Sequence, residues 1–338
     1  MMEYSFIIPV YNCKDYLSTC VESIRAVGTE LYEILLIDDG STDGSGTLCD
    51  TLAAQYPQIR VVQQENSGAS AARNRGLREA RGEWILILDA DDGIASETIG
   101  TVLKDHRRHQ AEMVIFGMTF DYYYHGSCYR RDPLYFETEG ILTEETWCNA
   151  FKELFLRNSL SPVWNKMYRR EILQRYALEM REDMFLYEDL EFVLRYMGHC
   201  GNILNIPKAI YYYRQPEDEG NAGRRLARIE SIPALLKRIE EALAGLETVC
   251  GEQKDNVLLA LHQCLAKEKI AVSDLAGIRR ICRDYAGWYQ QRGLTGGENT
   301  FHQRLTEGKA VSLLLQSKKT ALRHKIAVRV KACLKRMR

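Results

Sequence analysis

The first ninety residues repeat one pattern: a short continuous apolar run, a polar turn, then a stretch that reads as helix. Phe6-Ile7-Ile8-Pro9-Val10 is followed by a helical segment near Asp15 to Arg25. Ile34-Leu35-Leu36-Ile37 leads into Asp38-Asp39-Gly40-Ser41 and a second helix from about Gly44 to Gln55. Arg60-Val61-Val62 precedes a Gly/Ser/Ala turn and a third helix, and Trp84-Ile85-Leu86-Ile87-Leu88 ends in Asp89-Ala90-Asp91-Asp92. Apolar runs without alternation, separated by helices, predict parallel strands buried on both faces. The class is α/β with an open sheet, in which ligands bind beyond the carboxyl ends of the strands. The polar clusters at Tyr11-Asn12, Asp38-Asp39 and Asp89 to Asp92 all fall at those ends.

From about Met113 to Tyr213 the pattern is mixed, with strands expected at Val114-Ile115-Phe116 and Ile210-Tyr211-Tyr212-Tyr213 among helical segments. After the polar stretch Gln215 to Gly223 the chain turns to helix formers with apolar residues three or four apart, such as Leu235, Ile239, Leu243 and Leu246. The pattern places a boundary near residue 220, with an α/β domain over 1–220 and a helical domain over 221–338. A loop is expected at Gly293 to Asn299.

Composition sharpens this picture at one point. A chain of 338 residues with 46% hydrophobic and 27% charged residues is an ordinary globular mix, long enough for about two domains. Its net charge of -1 argues against a generally basic nucleic-acid binder. That near-neutral total conceals an acidic body, because the nine basic residues of 318–338 are joined by no acidic one. The tail reads as a basic amphipathic helix with Leu322, Ile326, Val330, Cys333, Leu334 and Met337 on one arc. Lys318, Lys319, Arg323, Lys325, Arg329, Lys331, Lys335 and Arg336 are then candidates to face an anionic membrane surface; the alternative is packing on the helical domain with the charges solvated. The start of the chain carries no secretory signal and no apolar run reaches the ~18–20 residues that span a bilayer, so a cytoplasmic location is expected, on the inner face of the membrane if the tail takes the first of these two readings. The ten cysteines include no Cys-x-x-Cys and are read as reduced thiols.

The chemistry lies in the strand-end clusters. Asp89, Asp91 and Asp92 repel one another unless a cation or hydrogen-bond donors compensate. Carboxylate oxygens suit Mg²⁺ or Mn²⁺ held together with substrate phosphates, so the cluster reads as a metal-diphosphate site; a lone Asp there would only make a turn or cap a helix. Asp39 stands where a carboxylate can accept a hydrogen bond from a nucleobase N–H, Gly40 permits close backbone approach, and Asp43 suits the cap of the next helix; taken alone, a plain turn with a helix cap explains the stretch better. Asn66 to Gly76 is a small-residue helix entry that can pack against a nucleotide, with Arg73 in reach of a phosphate or base; tight helix-to-sheet packing accounts for the small residues equally well.

Six stretches in order, Phe6 to Asn12, Asp38 to Ser45, Asn66 to Leu77, Gly82 to Asp92, Trp164 to Arg170 and Glu188 to Phe192, resemble the family 2 glycosyltransferases. The resemblance covers roughly residues 4 to 214 and is nearest to the non-processive bacterial enzymes that extend capsular, exopolysaccharide or lipopolysaccharide glycans. It implies a GT-A fold: an open mixed, mainly parallel sheet flanked by helices, here with a C-terminal helical domain. It implies a uridine pocket at Pro9, Tyr11 and Asp39, with Asp39 facing the uracil edge. It also implies a metal ligand in Asp91, with Asp89 near the ribose, diphosphate and metal, and a catalytic base in Asp189 beside Glu188. The implied donor is a UDP-sugar, the cofactor Mn²⁺ or Mg²⁺, and the acceptor a glycan or lipid-linked glycan; homo-oligomers are left open. Trp164 and Lys166 are candidates to line the acceptor or donor-sugar site, although Lys166 to Arg170 reads equally as a solvated helix face.

The chain lacks the Gln-x-x-Arg-Trp motif and the membrane span of the family's processive synthases, which argues against repetitive polymerisation through a channel. The acidic stretch Gln215 to Gly220 suits a loop closing over the site. Two other functions share part of this pattern. A dehalogenase-like phosphatase shares the Asp-x-Asp strand end but normally carries Thr or Val where this chain has Gly93. A catalytically silent nucleotide-sugar-binding protein would have no need of both Asp91 and Asp189.

Overall fold

The computed structural model describes residues 2–27, 31–105, 109–124, 127–142, 151, 154, 160–215, 232–246, 254–271, 273, 275–293, 300–310 and 312–313. Strands β1 (Tyr4–Val10), β2 (Tyr32–Asp38), β3 (Ile59–Gln63) and β4 (Trp84–Ile87) are joined by helices α1 (Lys14–Arg25), α2 (Ser45–Gln55) and α3 (Ala69–Glu79). They pair in parallel in the order β3-β2-β1-β4, as the continuous apolar runs predict. Every residue of β2 is buried, and β1 is buried except at Pro9, because helices cover both faces of a parallel sheet. α3 lies so close to β1 that a Cβ at Gly76 would sit 2.2 Å from Ile7 Cγ2. A side chain there would push the helix, and Arg73 with it, off the sheet.

The remainder of the sheet is β5 (Gly93–Ile94), β6 (Met113–Tyr124), β7 (Ser127–Leu134), β8 (Gly140–Ile141), β9 (Lys166–Arg169) and β10 (Ile203–Gln215). Helices α4 (Ser96–Asp105), α5 (Arg170–Arg175) and α6 (Glu188–Met197) lie between them in sequence. From β4 the order continues β9-β6-β10-β5, with β7 paired to β6 and β8 to β10. β9 is antiparallel to both neighbours, so β6 and β10 run the same way as β1 and β4 and end on the same side. The stretch from Lys166, read from sequence equally as a helix face, is a strand: Met167 pairs with Leu86 on one side and Val114 on the other. β6 and β10 also extend well beyond their apolar runs. β10 is irregular between Ile206 and Tyr211, where Pro207 lacks the N–H that the ladder would use.

The chain divides into two compact units, Met1–Asp218 with Ile239–Lys254, and Glu219–Arg238 with Asp255–Arg338. The described residues after β10 are helical: α7 (Ile232–Leu243) with a 3₁₀ turn (Ala244–Leu246), α8 (Lys254–Ala271), α9 (Leu275–Gln291) and α10 (Thr300–Thr306). Leu235, Ile239, Leu243 and Leu246, spaced for one helical face, are all buried. The second unit has its own core around Ile270, Ile278, Ile281, Tyr285 and Leu305. The expected closing loop beyond Gln215, the loop after Gly293 and the basic tail over 318–338 lie outside the described residues. Among the described residues no helix is long and apolar enough to cross a membrane.

Candidate active site

The carboxyl ends of β1, β2 and β4 bring three acidic or polar turns together, and the start of α6 meets them from a distant part of the chain. At the β2 end, Asp39 is held by its own backbone N–H donating to Val10 O at 2.9 Å. Its Oδ1 accepts from Gln64 Nε2 and Ser67 N, both at 2.8 Å, and its Oδ2 from Gly68 N at 2.9 Å. Asp39 therefore ties the β2 turn to the entry of α3. Gly40 follows with φ +72°, and a Cβ there would stand 3.0 Å from Asn66 N. The residue needs both the left-handed backbone and the empty space. Pro9 lies near the end of β1, and Tyr11 follows as an exposed ring at the mouth of the same region. Asp43 was expected to cap α2, but the N-cap is Gly44; Asp43, one residue earlier, accepts from the Ser45 backbone and hydroxyl and also from Lys14 N.

At the β4 end the three Asp residues have different neighbours. Asp92 is buried and satisfied: Tyr211 Oη donates to its Oδ2 at 2.6 Å and Arg214 N to its Oδ1 at 2.7 Å. Burial, then the charges of Asp89 and Asp91, hold its carboxyl well above the usual range. Tyr211 also accepts from Asp89 N at 3.1 Å, so one hydroxyl from β10 fixes both ends of the turn. Asp91 stands exposed at the rim, and its carboxyl is shifted up by partial desolvation and by Asp89. Asp89 gives one oxygen to Arg73 and keeps 28% of its side chain exposed. The carboxylate of Asp91 and the second oxygen of Asp89 are oxygen donors of the kind that could hold a hard divalent cation completed by substrate phosphates and water. Among the described residues no three His, Cys, Asp or Glu side chains converge as a metal cage.

Asp189 sits in the first turn of α6, whose entry is set by Tyr187 in the left-handed region with φ 60°. Glu188, Asp189 and Glu191 place negative charge at the positive end of the helix. Arg73, only 6% exposed on α3, reaches across to it: Nη1 donates to Asp189 Oδ1 at 2.9 Å and Nη2 to Asp89 Oδ1 at 2.8 Å. Arg73 was expected to face a phosphate or base; in the structure its guanidinium is taken up by these two carboxylates. Burial pushes the Asp189 carboxyl up to about 6, with Glu188 and Asp89 adding to the rise and Arg73 and Lys166 opposing it.

The two aromatic and basic candidates for the sugar site are placed differently from expectation. Lys166 is fully buried, and its Nζ donates to Pro162 O and Asn165 Oδ1, both at 2.5 Å. It presents no surface to a sugar; burial drives its pKa well below the usual value. Trp164 is 7% exposed and stacks on Tyr211 and Tyr213. Tyr211 and Asn74 are the site residues that sequence reasoning missed. Asn74 Nδ2 donates to Met180 O and Glu182 Oε1 while its Oδ1 accepts from Met180 N at 2.7 Å, which moors the segment leading to α6. Only the proximity of Asn74 to Arg73 in the Ala-Arg-Asn run hinted at it.

Comparison with known proteins places this geometry. Over 325 residues, 92% of this chain and 91% of its relative, the sequence is 27% identical to the uncharacterized glycosyltransferase EpsJ of Bacillus subtilis (strain 168). The fold is that of the S. aureus TarS fragment 1-349 in complex with UDP-GlcNAc, at TM-score 0.58 and 17% identity over 92% of each chain. It is also that of the mannosyltransferase PcManGT of Pyrobaculum calidifontis in complex with GDP-Man and Mn²⁺, at TM-score 0.53 and 17% identity, covering 97% of this chain and 86% of that one. The match to the model of glycosyl transferase family 2 runs from residue 5, in β1, to residue 177, just past α5. It takes in all of the parallel half of the sheet and its acidic turns, and the chain belongs to that family.

Proposed function

We propose that the chain is an inverting, metal-dependent glycosyltransferase that moves a sugar from a UDP-sugar to a hydroxyl of a growing, lipid-linked cell-surface glycan. The observation that carries this reading is the convergence of Asp39, Asp89, Asp91 and Asp189 at one edge of the sheet, from three separate stretches of sequence. The uracil edge would lie against Asp39 between the β1 end and the α3 entry, and the diphosphate would reach Asp89 and Asp91. Mn²⁺ or Mg²⁺ bound there with the diphosphate would offset the negative charge that grows on the leaving group.

Asp189 Oδ2, which has no hydrogen bond among the described residues, would take the proton of the acceptor hydroxyl. The acceptor oxygen would bond to the anomeric carbon from the face opposite the diphosphate, whose oxygen would leave with the electron pair of the broken bond. One displacement inverts the anomeric centre. A UDP-sugar donor is supported by the UDP-GlcNAc complex of TarS, and a divalent cation by the Mn²⁺ in PcManGT. Residues 1–220 would form the catalytic domain, and the basic tail after residue 317 would dock the helical domain on an anionic leaflet.

A thermal-shift panel of UDP, GDP, CDP and dTDP, each with and without Mn²⁺, tests the donor site. Stabilisation by UDP plus Mn²⁺ beyond the other nucleotides is expected, and equal shifts would remove the uridine assignment. For the tail, full-length protein should pellet with anionic liposomes and a 1–317 truncation should not; equal pelleting would end the membrane reading.

A further inference from the structure

Resting on the reading of Asp189 as the base, we propose that Arg73 is a positioning residue: its forked guanidinium clamps Asp189 to Asp89 on the donor strand, leaving one Asp189 oxygen to meet the acceptor. Three elements meet in this clamp. Arg73 comes from α3, Asp89 from the end of β4, 16 residues away, and Asp189 from α6, 116 residues away. Both bonds are short, at 2.8 and 2.9 Å, and charge-assisted, and they use the two terminal nitrogens of one planar group. The distance from base to donor carboxylate is thereby set by the width of a guanidinium.

The burial of Arg73 separates positioning from simple packing. Arg73 is nearly inaccessible, and its Nε has no hydrogen-bond partner among the described residues. An arginine selected only to fill space would be replaced by an apolar side chain at lower desolvation cost, and one selected only for hydrogen bonding would not leave Nε unsatisfied. Here the side chain gives up one bond in order to span two carboxylates. The neighbouring Asn74 moors the Met180 to Glu182 segment, so successive residues of α3 hold the base and the segment that delivers it. The close packing of Gly76 on Ile7 keeps α3 at the depth this reach requires.

The charges facing Asp189 are Arg73 from α3, Asp89 from β4, Lys166 with the Tyr168 hydroxyl from β9, and Glu188 from its own helix. Without Arg73 the two remaining anions act on a buried carboxyl with only Lys166 opposing. Arg73→Gln removes both the charge and the clamp, whereas Arg73→Lys keeps the charge but has one ammonium and cannot hold both carboxylates in a fork. With UDP-sugar, Mn²⁺ and acceptor, Arg73→Gln is expected to raise the acid limb of kcat/KM by roughly 1–3 pH units. It should also lower kcat at neutral pH by about 10²-fold, with the acceptor KM little changed. Arg73→Lys should lose kcat while keeping the acid limb near its original position.

Folded Arg73→Gln or Arg73→Lys protein with wild-type kcat and an unmoved acid limb would overturn the proposal. Should neither variant fold, a crystal structure of the wild-type chain with UDP decides: Arg73 bridging both carboxylates supports the clamp, and Arg73 turned away from Asp189 onto the diphosphate overturns it. Asp189→Asn run in parallel separates the two levels. Wild-type turnover in Asp189→Asn would sink the base assignment itself, whereas an inactive Asp189→Asn beside unaffected Arg73 variants would sink the clamp alone.

Discussion

The indole of Trp164 stacks on the ring of Tyr211 with centroids 4.1 Å apart and planes 14° apart, and the Tyr211 hydroxyl in turn holds Asp92 at 2.6 Å. Trp164 thus supports the acidic turn from behind and offers no open face to a sugar. Tyr211→Phe keeps the stack but leaves Asp92 Oδ2 and the Asp89 N–H without that partner, at a cost of about 1–3 kcal/mol. Trp164→Ala removes a buried ring and should cost about 3–5 kcal/mol. Because the residues touch, the double variant should lose measurably less than the sum of the two, as read by urea denaturation of all four proteins. Strict additivity would mean that the stack does not position the hydroxyl.

With Asp189 as the proposed base, its ionisation sets the pH dependence of the reaction. Burial raises its carboxyl from 3.8 to about 6, so kcat/KM should fall about tenfold per pH unit below pH 6, as the base becomes protonated. Stability should move in the opposite sense. A folded-state pKa above the unfolded one means that the folded chain holds this proton more tightly, so the contribution of Asp189 to stability improves as pH falls from 7 through 6 toward 4. Asp189→Asn should lower turnover by about 10²–10⁴-fold and abolish the acid limb while leaving UDP binding nearly intact. A rate-versus-pH series on the two proteins checks this, and an acid limb persisting in Asp189→Asn would assign it to another group.

The parallel half of this architecture was open to reading from the sequence because strands such as Ile34 to Ile37 are buried on both faces and so appear as unbroken apolar runs, each ending in its polar turn. The antiparallel half was not. β9 is a four-residue strand whose first residue is a lysine, and it is a strand only because β4 and β6 flank it on both sides. β7 is largely exposed and rich in polar residues, with the register supplied by β6. Within the site, the acidic residues were visible as residue types at strand ends. Their partners were not, since no local pattern couples Arg73 to a carboxylate 116 residues on, or Tyr211 to a turn 119 residues back. A buried Lys166 looked like a ligand-facing charge for the same reason: sequence reveals a charge but not which way it is turned.

Asp39 carries a prediction that separates loop order from base recognition. Its two oxygens already accept from Gln64, Ser67 and Gly68, so a nucleobase N–H would use a remaining lone pair of a carboxylate that the fold has fixed in place. Asp39→Ala loses a charged acceptor and leaves two loop N–H groups to water, which should weaken UDP about 10–100-fold. Asp39→Asn must turn its amide N–H₂ toward one set of donors and should behave nearly as badly. Calorimetric titration of UDP into the three proteins is the measurement, and wild-type affinity in Asp39→Ala would take the uracil edge elsewhere.

At the opposite end of the strands, Glu33 tests stability without touching the chemistry. It is 2% exposed on β2, and its carboxylate accepts from Ser5 Oγ at 2.7 Å, Arg81 N at 2.7 Å and Arg60 Nη1 at 2.8 Å. These bonds tie β1, β2, β3 and the entry to β4 at their amino ends, away from the proposed nucleotide and acceptor site at the carboxyl ends. Arg60→Met leaves a buried anion without its cation, but Arg60 is itself 27% exposed and water can replace part of the interaction. A loss of about 2–3 kcal/mol in urea is expected, toward or below the low end of what breaking a fully buried pair costs. Adding Glu33→Gln to Arg60→Met removes the stranded charge while keeping an acceptor for Ser5 and Arg81, and should recover a good part of that loss. UDP affinity should stay unchanged in both variants wherever they remain folded. A variant that kept its urea midpoint but lost UDP would show that strain at the amino ends reaches the site through the sheet.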